Sequence, residues 1–169
     1  LAFHGSIGEP MANPHFADIC HYVKKKFPRL KLGITTNGFF LDKKMSDDLI
    51  KCGFDDVCVS LHAAGQEAYE KLVGGDFSRI FEQTKYYAVH RTKNNKLGIN
   101  FMLNKINAPD VRGIVDVAAD LHVDYLMVNS YYDVRNKLDP NISFYFSPAE
   151  GNKILNDMYA YARDKKVRL

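Results

Sequence analysis

The side chains able to do chemistry recur at the ends of short apolar segments. Gly5-Ser6-Ile7-Gly8-Glu9-Pro10 follows the first, Thr35-Thr36-Asn37-Gly38 the second, and Ser60-Leu61-His62-Ala63-Ala64 the third. Asn100 and Asn104 flank the end of the fourth, with Lys105 and Asn107 just beyond, and Asn129-Ser130-Tyr131-Tyr132-Asp133 closes the fifth. Carboxylate, hydroxyl, imidazole and amide groups of this kind can hold a polar ligand from several sides. Taken singly, each has a plain structural use. Gly5 and Gly8 suit turns, Glu9 could pair with a neighbouring cation, Ser60 could cap a helix, and Thr36-Asn37-Gly38 is a common turn sequence. Their recurrence on successive segment ends points to a shared site. Of the six histidines, His15, His21, His90 and His122 fall on helical stretches as packing or surface residues, whereas His4 and His62 fall at segment ends. No HxH or HExxH spacing marks a zinc site.

The elements that must position these groups alternate regularly. Apolar, β-branched segments at 1–5, 31–36, 56–61, 97–103 and 124–129 read as strands, and a further strand opens at Val167. Helical spacing fits 15–26, 43–52, 77–91, 111–122 and 149–164, with an additional short helix at 66–72. Phe77, Ile80, Phe81, Thr84 and Ala88 share one helix face, as do Val111, Ile114, Val115 and Ala118. Ser147-Pro148-Ala149-Glu150 has the pattern of a capping box, Asn107-Ala108-Pro109-Asp110 and Asn13-Pro14 start helices similarly, and Gly53 is a helix stop. Strand-helix alternation implies right-handed crossovers and a parallel sheet with helices outside. It leaves a doubly wound sheet and a barrel both open. In either, the working face lies at the C-terminal ends of the strands, where the polar residues cluster.

The chain has 169 residues, enough for one domain or a large part of one. The longest apolar runs are too short to cross a bilayer, and no secretory signal opens the chain. The net charge is +3. Lys24-Lys25-Lys26, Arg29 and Lys31 read as a helix C-terminus complementing exposed carbonyls rather than a nucleic-acid patch, because no aromatic residues interleave. Cys20, Cys52 and Cys58 have neither the spacing of a disulfide scaffold nor that of a CxxC site, and Cys20 and Cys52, each in an apolar series, read as packed thiols in a reducing cytoplasm. Both ends look cut. The chain opens inside a strand without a methionine and closes on an orphan strand at Val167-Arg168-Leu169.

The ordered set Gly8-Glu9-Pro10, Thr35 to Gly38, Ser60 to His62, Tyr69, Gly74-Gly75 and Phe77 resembles the radical S-adenosylmethionine (SAM) superfamily, over nearly the whole chain. The resemblance implies an α/β fold, a partial (β/α)6 TIM-like barrel, of which residues 1–169 are a core fragment truncated at both ends. It also implies an oxidoreductase that cleaves SAM reductively to a 5′-deoxyadenosyl radical, which abstracts hydrogen from a substrate. In that frame Gly8, Glu9 and Pro10 receive the SAM amino group and Ser60 donates to its carboxylate or ribose. Asn100 or Asn104 holds the ribose hydroxyls, and the main chain near Met127 and Val128 flanks adenine. Thr36, Asn37 and His62 lie on the substrate side. A flavodoxin or ferredoxin would supply electrons, and neither nucleic acid nor membrane is an expected partner.

Two departures stand out. Ile7 precedes Gly8 where the family often has a second glycine. The CxxxCxxC loop that binds a [4Fe-4S] cluster is absent, and Cys20, Cys52 and Cys58 cannot replace it by spacing, so no metal ligand is expected in this chain. In the family that loop precedes the position of Leu1. An excerpt, a disordered N-terminus or a relative that never bound a cluster each fits, and the fragment alone is expected to be inactive. Ser60-Leu61-His62-Ala63-Ala64 resembles members with a cysteine-rich C-terminal extension that modify peptides or proteins. The rival reading is a non-catalytic binding or scaffold domain that kept the fold and lost the cluster. An ordinary barrel acting on a phosphorylated metabolite would need glycine-rich loops after late strands, and residues 129–133 offer none.

Overall fold

The structure, a computed structural model, describes residues 1–4, 8–130 and 146–169. Gly5, Ser6, Ile7 and the 131–133 part of the last strand-end motif lie outside the described residues. Among the described residues five strands alternate with helices: β1 Ala2–His4, α1 Phe16–Lys26, β2 Gly33–Thr36, α2 Lys43–Cys52, β3 Asp56–Ser60, α3 Gln66–Leu72, α4 Phe77–His90, β4 Lys96–Leu103, α5 Val111–Asp120, β5 Tyr125–Ser130 and α6 Pro148–Asp164. Short 3-10 turns sit at Pro10–Ala12 and Ala108–Asp110. The strands form one sheet in chain order, β1-β2-β3-β4-β5. Ala2 pairs with Gly33 and Gly33 with Asp56 in parallel register. This is the α/β architecture expected, a parallel sheet with helical crossovers. Among the described residues no helix is long and apolar enough to cross a membrane.

The chain divides into two compact units. The first comprises Leu1–Ser60 and Ser78–Gly98. Its core is built on Phe3, Phe16 and Phe54, with Phe3 and Phe16 meeting edge to face at 5.1 Å. Cys20, Ile34, Leu49, Val57 and Val59 fill the space around them. β3 is buried at its three central positions, as expected of a strand in a sheet with helices on its faces. Asp42 caps α2 by accepting the Met45 N–H, and Gly53 ends it in the left-handed region at φ 71°. Lys24, Lys25 and Lys26 do occupy the last turn of α1. Lys24 and Lys31 both pair with Asp55, so that part of the basic cluster is neutralised within the fold.

The second unit comprises Leu61–Phe77 and Ile99–Leu169. Ile99, Phe101, Ile114, Val115, Ala118, Leu126 and Met158 form its interior. α5 and α6 are tied by Arg112 to Asp157 and by the Tyr161 hydroxyl to Asp116 at 2.9 Å. The capping box of α6 is formed, with the Ser147 hydroxyl accepting the Glu150 N–H and the Glu150 carboxylate accepting the Ser147 N–H. The strand expected from Val167 does not form. A single bond remains, from the Leu126 N–H to the Arg168 carbonyl at 2.8 Å.

Candidate functional site

In the first unit the site candidates gather around one carboxylate. Gly8 adopts φ 119°, a conformation other residues rarely reach, and delivers the chain to Glu9. Glu9 caps the turn that starts at Pro10. One carboxylate oxygen accepts the Met11 N–H at 3.2 Å and the Thr36 hydroxyl at 2.9 Å, and the other accepts the Asn37 N–H at 2.8 Å. Thr36 is 2% exposed, and its Oγ1 in turn accepts the Gly38 N–H at 3.0 Å. Gly38 has φ 79°, and a Cβ there would meet Ile80 Cγ2 at 3.0 Å and Val59 Cγ1 at 3.2 Å, so both backbone and space require glycine. The turn reading of Thr36-Asn37-Gly38 therefore holds, and the same turn cradles Glu9. Asn37 is exposed, its Oδ1 accepting the Phe39 N–H. His4 is exposed at the end of β1. Ser60, half-buried at the end of β3, has a hydroxyl with no partner among the described residues.

All three donors to Glu9 are neutral, and no cation pairs with it among the described residues. A carboxylate offers about four lone-pair positions, so three bonds leave room for one more. A half-buried carboxylate in this state has the chemistry to accept a cationic group.

In the second unit Asn104 and Asn107 lock the end of β4. Asn104 Oδ1 accepts the N–H groups of Ile106 and Asn107 at 2.8 and 3.1 Å, and its Nδ2 donates to the Met102 carbonyl at 3.1 Å. Asn107 Oδ1 accepts the Asn104 N–H at 2.7 Å, and its Nδ2 donates to the carbonyls of His62 and Met102 at 2.8 and 2.9 Å. Both are buried, at 2% and 1% exposure, so their amides are committed to holding the loop. Asn107 does not cap the turn that follows it, contrary to the helix-start pattern. His62 is half-buried, and its Nδ1 accepts the Met102 N–H at 3.2 Å. Burial lowers the His62 pKa below the ordinary imidazole value.

Asn100 remains presented. Its Oδ1 accepts Asn129 Nδ2 at 2.7 Å, joining β4 to β5 on one face of the sheet. Met127 is 40% exposed and Val128 half-buried. The pairing of Asn100 with Asn129, and the holding role of Asn107, were not assigned from sequence. The Asn104–Asn107 spacing at a strand end is the visible signal for Asn107, and the Asn100–Asn129 pairing leaves none.

The cysteines do not fit a cluster. Cys20 lies on α1, Cys52 on α2 and Cys58 in β3, and Cys20 and Cys58 are buried. Among the described residues no group of three or more His, Cys, Asp or Glu could hold a metal ion.

A family profile described as the Radical SAM superfamily matches residues 2–118. The tungsten-containing aldehyde ferredoxin oxidoreductase cofactor-modifying protein of Pyrococcus furiosus is 26% identical over 97% of this chain and 47% of its own length. A probable GTP 3′,8-cyclase of Saccharolobus islandicus is 32% identical over 69% of this chain and 37% of its own. The chain thus spans less than half the length of these curated relatives. SuiB of Streptococcus suis shares the fold at 20% identity. Its SAM-bound structure superposes with a TM-score of 0.75, and the structure with its precursor peptide SuiA with 0.78; each match covers 99% of this chain and 36% of SuiB.

Proposed function

Because the chain belongs to the radical SAM superfamily, we propose that the complete protein is a radical SAM enzyme that cleaves SAM reductively and abstracts hydrogen from a peptide or protein substrate. Bound SAM and its [4Fe-4S] cluster would supply the radical chemistry, while this chain's residues bind, orient and exclude water. The observation that carries the reading is Glu9, a carboxylate held by three neutral donors with an acceptor position left for a cation. The SAM ammonium is such a cation.

Ser60 has a free hydroxyl to donate to the SAM carboxylate or ribose. Asn100, paired with Asn129, remains available for ribose hydroxyls, and Met127 and Val128 offer main chain and apolar surface for adenine. Asn104 supports its loop from a buried position. The cysteines here do not fit the cluster, so its thiolates are to be sought outside the described residues, and a flavodoxin or ferredoxin would deliver the electron. The peptide assignment draws support from the fold shared with SuiB, which was solved with its precursor peptide.

The test is anaerobic reconstitution of the full-length protein with iron and sulfide, followed by assay of 5′-deoxyadenosine under a strong reductant. Product is expected with SAM present. A protein that assembles its cluster, retains SAM and forms no 5′-deoxyadenosine would favour the non-catalytic scaffold reading instead.

A further inference from the structure

His62 is fixed more firmly than a surface histidine needs to be. The Met102 N–H donates to its Nδ1 at 3.2 Å, and Asn107 Nδ2 donates to its main-chain carbonyl at 2.8 Å. The loop beyond it lies close against α5. A Cβ on Gly113 would come within 2.8 Å of Ala64 Cβ, so only glycine admits the loop this near.

A main-chain N–H can donate to Nδ1 only if that nitrogen carries a lone pair. The neutral ring therefore holds its proton on Nε2. Burial disfavours the charged ring, and the bond from the Met102 N–H sets the tautomer. Nε2 has no partner among the described residues, and His62 as a whole is half-buried. The result is a fixed, neutral imidazole whose Nε2–H is uncommitted among the described residues. Preorganised recognition has these features, with ring orientation and tautomer set by surrounding bonds before any ligand arrives.

We propose that His62 is a substrate-selecting donor, offering its Nε2–H to an acceptor oxygen, a carbonyl or a carboxylate, of the molecule the protein modifies. The word substrate rests on the superfamily reading above. The same geometry rejects a cationic or donor group at this position, because Nε2 has no lone pair to give.

Two replacements separate the ring's two roles. His62→Asn keeps an acceptor near the Nδ1 position and removes the outer donor. His62→Gln keeps an N–H near the Nε2 position. The full-length protein, labelled with nitrogen-15 at histidine and prepared without cluster, would be titrated with acetyl-triglycine amide, with acetate and, separately, with SAM. The ring spectrum is expected to show a bare Nδ1 and a protonated Nε2, and the amide or the acetate is expected to shift the Nε2–H resonance. Loss of one hydrogen bond predicts about fivefold weaker probe binding in the Asn variant, with the Gln variant within about twofold of the native protein on the same scale. A proton found on Nδ1 overturns the proposal. So does an Nε2–H that neither probe moves, or equal weakening in both variants. A shift produced by SAM alone would make His62 a cofactor contact and overturn its assignment to the substrate. None of these measurements needs SAM turnover, so failure of the 5′-deoxyadenosine assay and failure of this proposal are separate results.

Discussion

Replacing Glu9 by Gln keeps the size of the side chain and removes its charge. The native carboxylate accepts three hydrogen bonds, from the Met11 N–H, the Thr36 hydroxyl and the Asn37 N–H. A Gln amide has one acceptor oxygen. If that oxygen stays with Asn37, an NH2 group faces two donors. The Thr36 hydroxyl is poorly placed to adapt, since Thr36 is 2% exposed and its oxygen already accepts the Gly38 N–H. Hydrogen bonds to charged groups contribute about 1.5–3 kcal/mol each. Glu9 is half-buried, so the lower end applies, and losing the bonds from Met11 and Thr36 gives about 3 kcal/mol. For a chain of this length that lowers the melting temperature by about 6–12 °C. If Glu9 also receives the SAM ammonium, SAM affinity should fall by about 10- to 100-fold. Calorimetric melts without SAM, and titration of SAM into the reconstituted full-length protein, measure the two effects separately. Iron and sulfide content should stay near native, because Glu9 is not an iron ligand. A Gln variant that melts within about a degree of native and binds SAM equally well would refute both the structural and the binding argument.

Asn107→Ala removes three buried hydrogen bonds and should cost about 3 kcal/mol in urea unfolding; combined with Asn104→Ala the loss should be less than additive, because the two side chains share one loop. Burial would raise the Asp55 carboxyl, but the bonds from Lys24, Lys31 and the Leu32 N–H outweigh it and hold it below the ordinary carboxylate value. That contribution to stability is complete above the unfolded value of about 3.9 and is lost as pH falls through the folded one. The stability gap between native protein and Asp55→Asn should therefore be constant near neutrality and close in acid; a gap that widens in acid would contradict the assignment. Burial, with the Cys52 charge second, pushes the Cys20 thiol up to about 12. Cys20 should resist iodoacetamide at pH 8 until the protein unfolds, and mass spectrometry showing rapid native labelling, or iron bound stoichiometrically to Cys20, Cys52 or Cys58, would overturn its role as an inert core thiol.

Local signals made much of the fold legible. α2 runs from Lys43 to Cys52 as its spacing and the Gly53 stop indicate, and α6 begins at its capping box. These features depend on residues within a turn or two of one another. Long-range bonds explain the mismatches. The apolar pattern starts a strand at Lys31, but the ladder starts at Gly33, and the Leu32 N–H is taken by the Asp55 carboxylate. Val167 and its neighbours have strand-like composition, yet one bond to Leu126 does not make a ladder. Asn107 has the sequence of a helix start, but its Oδ1, the atom a cap would use, accepts the Asn104 N–H while its Nδ2 reaches the His62 and Met102 carbonyls, and a partner 45 residues away leaves no mark on local spacing.

The same reasoning explains why the candidate site was only half legible. A buried polar group must be satisfied by the fold, whereas a group that binds a ligand must keep some capacity in reserve. Residue type and position show neither condition. Thr36 and Asn104 sit at strand ends just as Glu9 and His62 do, and from sequence all four look equally available. The structure separates them through their hydrogen bonds. Thr36 donates to Glu9 and accepts from Gly38, and Asn104 closes a loop with Asn107, so both act on a ligand only through the residues they hold. Glu9 retains an acceptor position and a charge without a cation, and His62 retains an uncommitted donor. Each of these reserves depends on a neighbour: Thr36 holds Glu9, and Asn107 holds the main chain of His62. Substitutions at Thr36 and Asn107 should accordingly weaken recognition by loosening a receptor, and those at Glu9 and His62 by removing it.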